Sequence, residues 1–137
     1  MWWIYALLSA AFAALTAIFA KIGVADVPSN LATGIRTIII LLVAWGIVLA
    51  RGEYKGVTLT RHTLIFLVLS GLATGFSWIF YFKALQIGKV SQVAPVDKLS
   101  VALTIILSAI FLQEALTWKT AIGALLIISG TLVLIIK

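Results

Sequence analysis

The sequence has no cysteine, one histidine, two prolines and four acidic residues in 137 positions. Without cysteine there is neither a disulfide framework nor a thiolate metal site. One histidine leaves nothing from which to build a His-rich metal site. Charged residues amount to 10%, against ~25% in soluble domains. Scarce charge combined with 64% hydrophobic residues excludes disorder. It also argues strongly against a soluble globular protein, since a domain of this size lacks the interior to hide so much apolar surface. Catalytic signatures are missing too: there is no HExxH, no P-loop, no GxSxG and no thiol nucleophile. An enzyme, a metal and a cofactor are therefore not expected. The ten Lys and Arg residues form no run, so no nucleic-acid partner is expected. The net charge of +6 fits basic residues that flank membrane spans and meet anionic headgroups.

Long apolar runs fill the chain instead. A bilayer span takes roughly 20 mostly apolar residues, and five stretches qualify: about 2–20, 31–50, 63–82, 93–112 and 120–136. Hydrocarbon offers backbone groups no partners, so each span is expected to be helical. The expectation is an all-α membrane protein, with residues 1–137 forming a single transmembrane domain and no room for an extramembrane one. The first span lacks a basic leader and a cleavage site, so it reads as a retained helix rather than a signal peptide. Pro28 and Pro95 are read as lying at or near helix starts.

Five spans put the two ends of the chain on opposite sides. Side A, that of the N-terminus, carries Arg51, Lys55, Arg61 and Lys119. Side B carries Lys21, Arg36, Lys83, Lys89, Lys98 and Lys137. Arg36 and Lys98 fall inside apparent spans, and without them the two sides balance. Loop charge therefore gives little orientation. Trp2, Trp3, Tyr5, Tyr54 and Trp118 gather near side A as an interfacial belt.

Charge inside a span marks an ion pair or a pathway. Arg36 lies within span two, Lys83 closes span three, and Asp97 and Lys98 follow Pro95 in span four. One acid among three bases forms a candidate clamp: Asp97 neutralising Arg36 or Lys83 across helices, with Lys98 beside it. Direct contact of a base with substrate is the parallel reading. Weaker polar residues fall in stripes, Ser70, Thr74, Ser77 and Tyr81 on span three and Asp97, Ser100, Thr104 and Ser108 on span four. Their three- and four-residue intervals hold each set on one helix face. Such stripes serve either as interhelical glue or as the wall of a water-accessible cavity. Gly71 and Gly75, and the alanines at 6, 10 and 14, permit close helix approach.

Several segments resemble one repeat of the EamA family, in the drug/metabolite transporter superfamily. These are Ala94-Pro95-Val96-Asp97-Lys98-Leu99-Ser100, then Leu112-Gln113-Glu114, then Ile122-Gly123 through Ser129-Gly130. The stretches 14–23, 32–37 and 81–88 fit the same pattern. Gln113 departs from it, standing where many members carry glycine. Members of this family usually hold two five-span repeats, and this chain matches one. An odd number of spans inverts a second copy, so the resemblance implies an antiparallel homodimer around a shared cavity. It implies a transporter of small organic solutes in the cell membrane, with spans one to four lining the cavity. The candidate lining residues are Thr16, Arg36, Ser77, Trp78, Tyr81 and Ser100. The bases Arg36, Lys83 and Lys98 favour anionic or zwitterionic solutes. The alternatives are a non-transporting membrane scaffold and a subunit of a heteromeric exporter, including one of lipid-linked substrates. Besides the solute, the expected partners are membrane lipid and a second copy of the chain.

Overall fold

The computed structural model describes residues 1–136; Lys137, counted above with the side B charges, lies outside the described residues. The helices are α1 (Trp2–Gly23), α2 (Ser29–Arg51), α3 (Arg61–Ile87), α4 (Val90–Asp97), α5 (Leu99–Phe111) and α6 (Trp118–Ile135). Among the described residues there is no strand. Five helical segments, with 90–111 taken as one, are long and apolar enough to cross a membrane. The protein is an all-α, multi-pass integral membrane protein. Most large apolar side chains are exposed, Phe12, Leu42 and Leu126 at 67–68% among them. In hydrocarbon that exposure carries no penalty.

The helices run past the apolar stretches. The α3 helix continues to Ile87, well beyond the expected end at 82. The last four carbonyls of a helix have no partner within it. Here the Lys21 ammonium donates to the carbonyls of Leu85 and Gln86. Gly52 closes α2 in the left-handed region at φ 65°. The Glu53 N–H returns to the Val48 carbonyl at 3.1 Å and the Gly52 N–H to Leu49 at 3.2 Å, a Schellman end. Gln113, after α5, adopts φ 55° without being glycine.

Two compact units divide the chain, Met1–Ile87 and the segment from Gly88 onward. In the first unit α3 packs against both α1 and α2. Its core is small: Ala17, Ala20, Val24, Phe82 and Leu85. Ser29 and Thr33 are buried with it, and the Thr33 hydroxyl is satisfied by the Ser29 carbonyl at 2.8 Å. The alanines that pack, 17 and 20, are not the row at 6, 10 and 14, which is exposed. Nothing lies within 4 Å of where a Cβ would stand at Gly71 or Gly75, so neither α1 nor α2 closes on that ridge.

In the second unit α6 packs against α4 and α5. Span four, expected as one helix over 93–112, begins at Val90 and breaks at Lys98. Pro95 lies three residues before it, as the sixth residue of α4. It therefore sits well inside the span rather than near its start. Its ring has no N–H to donate and crowds the preceding turn. The ladder tightens to three-residue steps, Lys98 N–H to Pro95 carbonyl and Val101 N–H to Lys98 carbonyl, both 3.0 Å. Thr131, buried on α6, donates to the Pro95 carbonyl at 3.3 Å as well as to Ile127 at 2.8 Å.

Candidate functional site

A cavity of about 490 Å³ opens within the first unit. Thr16, Phe19, Ala20 and Gly23 of α1 form one wall. Their intervals of three, one and three place them on a single helix face. Ala32, Ile35, Arg36, Ile39 and Ile40 of α2 form the other wall by the same periodicity. Val24 and Val27 of the intervening turn close one end, and Phe82 of α3 completes the lining. The volume lies within the ~300–1,000 Å³ of small-molecule sites.

Arg36 is the single charged residue of this lining. Its guanidinium carbon stands 4.7 Å from the Trp78 ring centre and 5.1 Å from that of Phe82, both within cation–π range. Among the described residues no carboxylate pairs with it. A guanidinium stacked on rings keeps its in-plane N–H donors for something else.

Val24 and Val27 are held in place from α3. The Gln86 amide nitrogen donates to the Val24 carbonyl at 3.2 Å and to the Val27 carbonyl at 3.0 Å. Lys83 donates to the oxygen of the same amide at 3.4 Å. The apolar stretches 63–82 and 93–112 leave Gln86 between two spans. Its only signal was its place two residues before a glycine, at the end of a helix that an intact hydropathy window stops too early.

Of the residues expected to meet substrate, Thr16 and Arg36 line this cavity, and Trp78 adjoins it through Arg36. Ser77 is exposed on α3, and Tyr81 stands edge-on to Phe82 at 6.3 Å; neither is part of the lining. Ser100 is exposed near the start of α5 in the second unit. Of the clamp residues, Asp97 and Lys98 meet each other at 3.4 Å, at the break in span four.

The model of the EamA-like transporter family matches residues 1–136. The chain belongs to the EamA-like transporter family. This EamA-like chain is 50% identical over 134 residues to a protein of Sinorhizobium sp named as an uncharacterized transporter in the cobO 3′ region. That match spans 97% of this chain and 95% of that protein. It is 34% identical over 86 residues to an uncharacterized protein of Methanocaldococcus jannaschii, covering 62% of this chain and 63% of that protein. No solved structure matches the EamA-like chain.

Proposed function

We propose that this protein is a secondary transporter of small organic solutes, anionic or zwitterionic, in the cell membrane. Membership of the EamA-like family and the transporter name of the Sinorhizobium relative support carriage of a solute. The observation that carries the solute class is the cavity of about 490 Å³ with Arg36 as its one charge. A half-buried cation without a carboxylate partner favours a solute that brings a negative charge. Span four, broken at Lys98, is the kind of discontinuous helix that transporters place at their sites.

One five-span repeat is half of the inverted pair on which alternating access commonly runs. The working assembly is an antiparallel homodimer, rocking about a shared centre. The small imbalance of loop charge supports insertion in both orientations. The test joins uptake and orientation. Single cysteines at Lys55 and Lys89 are labelled in cells with an impermeant thiol reagent. Comparable labelling at both sites supports the inverted pair; labelling at one site alone rejects a homodimer of this kind. Uptake of labelled organic anions into proteoliposomes, lost in Arg36→Gln, supports transport. Uptake unaffected by that change removes Arg36 from the pathway.

A further inference from the structure

Helical threonines of this protein commit their hydroxyls. Thr33, Thr37, Thr74, Thr104 and Thr131 each donate to the carbonyl four residues earlier, at 2.8–2.9 Å. Thr63 and Thr120 pair with the capping threonines 60 and 117. Thr16 is the exception. Its hydroxyl makes no such bond to a preceding carbonyl among the described residues, and it lines the same cavity as Arg36. Two aromatic rings lie against Arg36 and Tyr81 is an electrostatic neighbour, while no carboxylate among the described residues pairs with it.

The polar side chains of the cavity are thus a cation with five N–H donors and one hydroxyl. Its other walls are apolar, with Phe19, Ile35, Ile39, Ile40 and Phe82 the bulkiest. Asp26 lies in the α1–α2 turn and is not part of the lining. A carboxylate suits this set, since the guanidinium fork binds both oxygens and the hydroxyl adds a third donor. An ammonium finds no partner, and burying one unpaired is strongly unfavourable. A second carboxylate finds no second cation.

We propose that the solute is a monocarboxylate on an apolar body, seated by Arg36 and Thr16, rather than an amino acid or a dicarboxylate. This rests on the transport reading above and narrows its substrate class. A membrane fatty acid shares the same headgroup and tail chemistry, and the test separates it from an aqueous solute.

Gly23 lines the cavity with open space around it, and the chain has no native cysteine. Purified Gly23→Cys protein in nanodiscs is labelled with a soluble maleimide in the presence of 4-methylpentanoate, leucine, succinate or palmitate. Leucine is 4-methylpentanoate with an added α-ammonium, so the pair isolates that group. Protection by 4-methylpentanoate at concentrations at least about tenfold below leucine and succinate is expected. Arg36→Gln in the same background abolishes protection. Thr16→Val weakens it several-fold with helix content unchanged by circular dichroism, which covers the case in which Arg36→Gln fails to fold. Equal or better protection by leucine or succinate overturns the proposal, as does protection by palmitate alone or by none of the four. Uptake of the same compounds into proteoliposomes separates the two levels. Uptake of leucine and not of 4-methylpentanoate sinks the monocarboxylate and leaves transport standing. Selective protection without uptake of any solute sinks transport and leaves the site.

Discussion

The Arg36 guanidinium lies over the Trp78 ring at 4.7 Å, one turn of α3 from Phe82, its second aromatic neighbour. The two rings fix where a flexible cation stands without neutralising it. Trp78→Ala removes one of them, a contact worth about 1 kcal/mol. The apparent KM for uptake rises roughly fivefold with little change in maximal rate, while Trp78→Phe stays near wild type. Transport kinetics in proteoliposomes measure both. An unchanged KM in Trp78→Ala means that the ring does not position the cation.

Gln86 ties the α1–α2 turn to α3 through two carbonyls. Gln86→Leu keeps the bulk and loses both bonds. The cost is about 1–3 kcal/mol, from ~0.5–1.5 per hydrogen bond. A lower unfolding midpoint in detergent reports it. Gln86→Asn behaves the same way, because the side chain is one methylene too short to span both carbonyls.

Gln113 sits at φ 55°, a conformation costing a residue with a Cβ about 1 kcal/mol or more. Gln113→Gly therefore stabilises by about 1 kcal/mol, less the added freedom of glycine in the unfolded chain. Gln113→Val destabilises, since a β-branched side chain tolerates this region worst. Thermal unfolding of the two variants should bracket the wild type.

Thr131 donates to the Pro95 carbonyl across the second unit. Thr131→Val removes that bond with little change of shape. Interhelical hydrogen bonds in membranes average about 0.6 kcal/mol, so the loss of stability is small. Thr131→Ser retains the hydroxyl and the stability. A loss well beyond this in Thr131→Val would mean that the Pro95 kink depends on the bond.

The spans were legible because hydrocarbon leaves the backbone one solution, and length and hydropathy alone mark it. Arg36 was legible for the related reason that a charge inside an apolar run needs an explanation. Thr16 was legible only as a polar residue among alanines; its distinction from the other threonines lies in a hydrogen bond it does not make, which no sequence pattern records. The break in span four was hidden by composition. Val90, Ser91 and Gln92 are too mixed to open a hydropathy window, so Pro95 was read as near a helix start, where proline is harmless. It stands six residues into α4, where proline is disruptive. Gln86 was illegible because its partners are backbone atoms about sixty positions away, and no residue identity announces a carbonyl acceptor. Gln113 was visible as a departure from the family's glycine, and its left-handed backbone gives that departure its physical meaning.

The same separation along the chain orders how the first unit is made. Val24 and Val27 leave the ribosome long before residue 86 exists, and the Lys21 ammonium precedes the two carbonyls it will cap by 64 and 65 positions. Until then the Val24 and Val27 carbonyls lack the Gln86 amide that holds them, and neither of the first two helices has the α3 surface on which it packs. Synthesis of the last turn of α3 supplies the fastener and its cap together. The biogenesis of this unit thus has a defined last step, set by residues 83–86, and a chain truncated before them inserts its first two spans with the cavity end still untied.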